Sequence, residues 1–438
     1  MSSATTTQAT TRTKLERAAA AASAMAELST GQKNAILRAM AAALEANQNK
    51  ILAANAVDLG ASNLRASITD RLTLNPLRIA GIVESVRAIA DLPNPAGEVI
   101  SEDVRPNGLR IRKLRVPLGV VGIVYESRPN VTVDATVIAL KAGNAVVLRG
   151  GREAAHTNEA IVELLSQVPG VPEGAIELLD SSSRESVKEL ITSRGLVDVV
   201  IPRGGLELIE RVMKEATVPV IETGAGNCHI YVDESANFEL ADQIIVNAKT
   251  DRPSVCNAAE KVLIHRLIAA EYAPRIVKAL QEAGVEVRGD AEICRLAHGQ
   301  NVQAAIADDW STEYSDLRIA IGVVKDLDDA IAHINRYSTK HSEAIVTESA
   351  EHAERFMQRI DSAAVYWNAS TRFTDGAEFG YGGEIGISTQ KLHCRGPFGL
   401  RELTTTKYQI FGTGQIRTEI PAKDGRENLN KQRNPKLK

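Results

Sequence analysis

Apolar positions recur along this chain with two different periods, and the change of period divides it. From Lys14 to Asn55 the sequence is alanine-rich, with Ile36, Met40, Leu44 and Ile51 at helical spacing. Ser29 and Thr30 are suited to cap its second segment. Arg71 to Ile89 continues the pattern, so the chain opens with helices that would cover the flank of a sheet. From Leu118 short β-branched runs take over. Leu118–Tyr125, Asn144–Leu148, Ala175–Leu179, Val197–Ile201 and Val218–Ile221 predict strands. Between them lie helices running to about Lys141, over Glu153–Leu165, over a short stretch before Val197, and over Leu206–Lys214. Continuous apolar strands separated by helices indicate a parallel sheet buried on both faces, with ligands at the carboxyl ends of its strands.

A second alternation follows. Lys261–His265, Ile319–Val324, Glu343–Val346 and Ala363–Trp367 predict strands, with helices over Leu240–Lys249, Ala269–Ala283, Leu327–Tyr337 and Ala350–Ile360. Two segments stand outside both alternations. Asp103–Arg115 is charged and alternating, Thr404–Ile416 is similar, and each suits a strand or hairpin acting as an oligomerisation arm. The fold class is therefore α/β, with two doubly wound domains and a β-arm. The expected division is 14–102 with 119–223 for the first domain and 224–402 for the second. The arms are 103–118 with 403–417, and 1–13 and 421–438 are flexible tails.

A chain of 438 residues is too long for one core, which agrees with two large domains. The formal net charge of −4 gives no field that would gather nucleic acid or an anionic membrane. No apolar run is long enough to span a bilayer, and Met1–Thr13 lacks the apolar stretch of a secretory signal. The four cysteines, 228, 256, 294 and 394, include no C-x-x-C pair and fit neither a disulfide framework nor a zinc site. The expected setting is a reducing cytoplasm, with no metal.

Candidate chemistry lies at the strand ends. Arg149-Gly150-Gly151-Arg152, Pro202-Arg203-Gly204-Gly205 and Thr223-Gly224-Ala225-Gly226 are glycine-rich turns, where backbone can approach a ligand and a following helix favours an anion. The G-x-G-x-x-G dinucleotide fingerprint is absent. Cys256 lies in a polar loop, Asp251-Arg-Pro-Ser-Val-Cys-Asn-Ala, with the Arg252 guanidinium four residues earlier, a setting that favours thiolate. Cys228 and Cys394 have histidine neighbours, but adjacent residues of an extended chain face opposite ways, so both are expected to be structural. Cys294, in a helical apolar stripe, is expected in the core.

Val116-Pro-Leu-Gly-Val-Val-Gly-Ile-Val-Tyr-Glu-Ser-Arg-Pro-Asn130 resembles the opening of the cofactor domain in the aldehyde dehydrogenase superfamily. The fuller resemblance, from about 14 to 417, is to that superfamily's γ-glutamyl phosphate reductase branch. It rests on Arg252-Pro-Ser-Val-Cys-Asn257; on the spaced pattern from Val324 through Ala330–Ile334, Tyr337–Thr339, His341–Glu343 and Ile345; and on Gly383-Glu-Ile-Gly-Ile-Ser388 with Arg395–Gly399. The resemblance implies NADPH-dependent reduction of γ-glutamyl phosphate to glutamate 5-semialdehyde in proline biosynthesis, with release of phosphate. The first domain would bind NADPH and the second would carry the cysteine.

Residue by residue, the resemblance makes Cys256 the nucleophile that forms a thioester, a species electrophilic enough to accept hydride. Asn130, in the loop after the first strand, would help bind the oxyanion; its other reading is an N-cap. Gly150, Gly151, Gly204 and Gly205 would approach the cofactor, and Glu313 would hold its nicotinamide ribose. Where the superfamily often has a ribose-binding glutamate this chain has Arg152, beside Arg149. A guanidinium binds a 2′-phosphate that a carboxylate would repel, hence NADPH. Arg128, Arg252 and Arg395 are candidates for the substrate's anionic groups, and His341 is either part of the site or structural. Glu222 precedes Cys256 by the spacing of the water-activating base in oxidising relatives, a base that a reductase does not need. The two arm segments argue for a homodimer or homotetramer, and a glutamate 5-kinase, which makes the labile acyl phosphate, is a candidate contact. Two alternatives remain: an NAD(P)-dependent aldehyde dehydrogenase running toward the acid, and a non-catalytic scaffold.

Overall fold

A computed structural model describes residues 9–61 and 66–417. The tails expected at 1–8 and 421–438 lie outside the described residues. The remainder of the expected N-terminal tail is partly helical. Thr10 accepts a hydrogen bond from the Thr13 N–H at 3.2 Å and caps the helix Thr11–Glu27, satisfying one of its orphan donors. Ser29 and Gln32 close a capping box on Thr30–Ala46, as the sequence suggests for that start. Asn75 caps Pro76–Asp91, with proline at the first turn, where a missing N–H costs nothing.

The first sheet has four parallel strands in the order Ile176–Leu178, Ala145–Arg149, Val120–Tyr125, Val199–Arg203. Successive side chains of each strand face opposite sides. Val121, Ile123, Val146 and Leu148 pack with Ile36, Met40, Leu44, Val83 and Ile89 of the leading helices. Val120, Val124, Ala145 and Val147 pack on the other side with Leu15, Leu190 and Val212. Burial on both faces is why these strands read as unbroken apolar runs. Val218–Ile221 does not form a full strand. It contributes one bridge, Val200 to Val220.

The second sheet is also parallel, seven strands in the order Val302–Ala304, Glu286–Gly289, Arg318–Val324, Ala259–His265, Cys228–Val232, Ser342–Val346, Ala364–Trp367. Three of these were not expected. Val302–Ala304 and Glu286–Gly289 are edge strands too short to show a period. Cys228–Val232 is central, but its polar residues Cys228 and His229 hide it. Ile230, Val262 and Ile321 join Ile245, Tyr272 and Ile276 on one face, while Tyr231, Leu263 and Ile345 meet Leu327, Ile331 and Phe356 on the other.

The described residues divide into two compact units, those of 9–96 with 116–405 and those of 97–115 with 406–417. Both parallel sheets belong to the larger. The smaller is built on the antiparallel hairpin Val99–Val104 and Arg110–Pro117, joined by the strand Thr404–Phe411 in the order given. Val99, Ile100, Val104, Tyr408, Ile410 and Phe411 are exposed on it. No helix of the described residues is long and apolar enough to cross a membrane.

Candidate active site

The strand order of the first sheet reverses between Val120–Tyr125 and Val199–Arg203, which makes a crevice outside their carboxyl ends. The two strands end level, Tyr125 opposite Arg203, and the Glu126 N–H donates to the Arg203 carbonyl at 3.1 Å. A cavity of 1420 Å³ opens there. Its walls include Glu126–Arg128, Gly151–Glu153, Arg203–Gly205, Thr223–Ala225 and Ser254–Asn257. The volume exceeds that of a typical small-ligand pocket, roughly 300–1,000 Å³, and suits a dinucleotide together with a second ligand.

Cys256 sits in a run of turns between the helix Phe238–Thr250 and the strand Ala259–His265. Three contacts fix it. The fully buried Cys228 thiol donates to the Cys256 carbonyl at 3.2 Å. Gly226 lies so close that a Cβ there would be 1.4 Å from that carbonyl oxygen. The buried Asn257 amide donates to the carbonyls of Arg372 and Thr374, and Thr371 Oγ1 donates to the Asn257 carbonyl at 2.7 Å. Glycine in the 223–226 turn thus serves a close backbone approach to the cysteine loop.

Burial pushes Cys256 up to about 11; Arg203 and Arg128 oppose that rise, while Glu384 and Glu313 add to it. That direction runs against the thiolate expected from Arg252 and the loop, since desolvation is the largest influence on the sulfur, ahead of the nearby cations. Arg252 is exposed and lines the cleft. Arg128 also lines it, held down to about 10 by burial and by repulsion from Arg203, Arg71 and Arg252.

The other expected residues separate into those at the cavity and those away from it. Asn130 is exposed on the wall, its Nδ2 donating to Asp134 Oδ2 at 3.3 Å. It is not an N-cap, since the helix Pro129–Ala142 is entered from Arg128. Gly151, Gly204, Gly205 and Glu313 line the cleft, as do both arginines of the 149–152 turn. Arg152 is exposed and donates to the Ser182 carbonyl at 2.7 Å, whereas Arg149 is partly buried and bonds the carbonyls of Gly150, Ser181 and Ser183. Gly150 is off the wall. A Cβ there would meet Asn158 and Tyr125, so its smallness serves packing.

Arg395 is also off the wall, bonded to Asp361, which Lys340 and Lys391 share. His341 is buried beside Ser342, held down to about 4 by burial, and does not line the cleft. Glu222 is likewise absent from the wall, its N–H donating to Gln390. Cys294 is partly buried rather than deep in the core, its Sγ donating to the Gly289 carbonyl. Among the described residues no His, Cys, Asp and Glu cluster suits a metal.

The wall residues that the sequence reading did not single out include Arg71, Asp134, Arg203 and Glu384. Arg203 and Glu384 stand inside quoted motifs, but single letters do not show that each faces the cysteine. Glu384 is pushed up to about 7, first by burial.

A sequence model of the Aldehyde dehydrogenase family matches residues 1–306. The fold agrees: an acetylating aldehyde dehydrogenase from Geobacillus thermoglucosidasius superposes with a TM-score of 0.68 at 19% identity, over 93% of this chain and 98% of that one. Much nearer is the gamma-glutamyl phosphate reductase of Koribacter versatilis, 62% identical over 408 residues, 93% of this chain and 100% of its own. The crystal structure of gamma-glutamyl phosphate reductase from Thermotoga maritima has a TM-score of 0.91 at 47% identity, over 94% of this chain and all of that one. The chain belongs to the γ-glutamyl phosphate reductase family, a branch of the aldehyde dehydrogenases.

Proposed function

We propose that this protein reduces γ-glutamyl phosphate to glutamate 5-semialdehyde with release of phosphate, through a thioester on Cys256, as a step of proline biosynthesis. The observation that carries the reading is a cysteine fixed at three points on the wall of a large, arginine-rich cleft. The thiol gives its proton up as the sulfur attacks the acyl carbon. The carbon–oxygen bond to phosphate breaks, and the departing phosphate takes a proton to leave as hydrogenphosphate. Activation by the incoming substrate suits a thiol that burial keeps neutral until a ligand arrives. The nicotinamide cofactor, when bound, supplies the hydride. Collapse of the Cys256 thiohemiacetal then expels the thiolate and frees the aldehyde.

The residues present fit that cofactor. Gly205 starts the helix Leu206–Glu215, whose N-terminus favours an anion, and Gly204 lies close against the Glu126 carboxylate. Arg152 is the exposed cation suited to a 2′-phosphate, and so to NADPH, while Arg149 shapes the turn beneath it. Glu313 suits the nicotinamide ribose. Asn130 and the Cys256 backbone are the assigned oxyanion donors, and Arg128 and Arg252 the assigned cations for the substrate. The domain built on the first sheet (14–102 and 119–223) holds cofactor, and 224–402 supplies the cysteine.

The apolar side chains exposed on the smaller unit suit burial against further copies, as a homodimer or homotetramer. A glutamate 5-kinase is the partner that would deliver the labile acyl phosphate, and a reducing cytoplasm suits a free reactive thiol. The test supplies glutamate 5-semialdehyde with NADP⁺, with and without inorganic phosphate, to wild type and Cys256→Ala. Phosphate-dependent NADP⁺ reduction that the variant loses is expected. Phosphate-independent acid formation would establish the oxidising alternative instead.

A further inference from the structure

The cleft carries charge of both signs, and the two signs are unequally neutralised. Arg71, Arg203 and Arg252 each repel Arg128 on the cavity wall, and Arg203 and Arg128 act on the sulfur. Facing them are Asp134, Asp375 and Glu384, all on the cavity wall. Their hydrogen-bond donors are neutral: the Gly376 N–H to Glu384 Oε2 at 2.9 Å, the Asn130 amide to Asp134 at 3.3 Å, and the Ala377 N–H to Asp375 at 2.9 Å. Arg203 is the cation that acts on Asp134 and Glu384, and Asp134 and Asp375 both act on Glu384. Arg203 offsets that crowding only in part, since burial still leaves Asp134 and Glu384 raised, so an entering cation would be favourable.

Glu384 is held in place by the backbone around it. A Cβ at Gly376 would lie 2.7 Å from Glu384 Cβ, and one at Gly399 would lie 2.9 Å from the Gly383 carbonyl oxygen. The segment is therefore clasped by close glycine contacts on two sides. Its carboxyl is also near enough to Cys256 to bear on the thiol's ionisation. In γ-glutamyl phosphate the reacting carbon and the amine-bearing carbon are three bonds apart, roughly 4 Å. A group reading that amine must share a cavity with the sulfur, as Glu384 does.

We propose that Glu384, supported by Asp134, receives the substrate's α-ammonium and so makes the enzyme selective for amino-acid acyl phosphates. The guanidinium groups then take the phosphate and the α-carboxylate. This assignment rests on the function proposed above. Substrate ammonium neutralises the acidic side and substrate anions the basic side, so a zwitterionic ligand satisfies both at once.

The test compares two aldehydes in the phosphate-dependent oxidation direction: glutamate 5-semialdehyde and its deamino analogue, 5-oxopentanoate. Wild type should prefer the amino compound. Glu384→Gln should lose about tenfold to hundredfold in kcat/KM on it, the range for a hydrogen bond to a charged group, with little change on the analogue. Glu384→Asp should restore part of the preference, which a merely misfolded variant would not. Equal losses on both aldehydes would overturn the assignment and make Glu384 a proton-transfer or structural group. An unchanged ratio would overturn it too. A wild type inactive on both aldehydes in the presence of phosphate would overturn the underlying function as well.

Discussion

Replacing Gly226 by alanine should disable the enzyme although residue 226 bears no reactive group. The added Cβ would lie 1.4 Å from the Cys256 carbonyl oxygen, 2.2 Å from its carbonyl carbon and 2.6 Å from its Cα. All three are backbone atoms, so no side-chain rotation can relieve the clash. The Cys256 peptide would have to retreat by about 1.5 Å, given that such contacts close near 3 Å. The same movement breaks the hydrogen bond from the Cys228 thiol. A 1 Å misplacement of a reacting group costs about 10²-fold, so kcat/KM should fall by at least about that factor. Phosphate-dependent NADP⁺ reduction with glutamate 5-semialdehyde measures the loss, and a melting curve separates misplacement from unfolding. Gly31→Ala is the control. Gly31 lies in a helix with nothing within 4 Å of the new Cβ, so that change should be neutral or stabilising by up to about 1 kcal/mol. Activity of Gly226→Ala within threefold of wild type would refute the claim that this contact fixes the nucleophile.

Two further outcomes follow from the charges around the cleft. In the ligand-free protein, iodoacetamide alkylation of Cys256 should be slow near neutrality and rise about tenfold per pH unit toward the thiol's value of about 11; a plateau reached below pH 8 would mean the cations outweigh burial after all. Arg152→Glu should move the kcat/KM ratio from NADPH toward NADH, because a carboxylate repels a 2′-phosphate, and an unchanged ratio would remove Arg152 from the cofactor site.

Much of this molecule was legible along the chain. Helices and buried strands declare themselves by period, because each must present a continuous apolar face to a core whatever the rest of the fold does. That is why the elements from Val120 to Glu215 and from Ala259 to Trp367 fall largely where the pattern puts them. Cys256 could be singled out by its polar loop and its motif. Cys228–Val232 was hidden because a central strand that opens with buried cysteine and histidine breaks the apolar run.

What tertiary structure alone decided is which charges meet. Arg395 and Arg203 are equivalent letters in a sequence. One is spent on Asp361, the other faces Cys256 and Glu384 across the cleft. The state of the thiol is likewise invisible locally, since Arg252 four residues away predicts an anion. The sulfur's ionisation depends on how much water its neighbours exclude, and those neighbours arrive from segments some 50 to 130 residues distant. Local pattern fixes what a segment can bury against. Desolvation and Coulomb interactions act through space, so the chemistry of the cleft exists only once both sheets have formed.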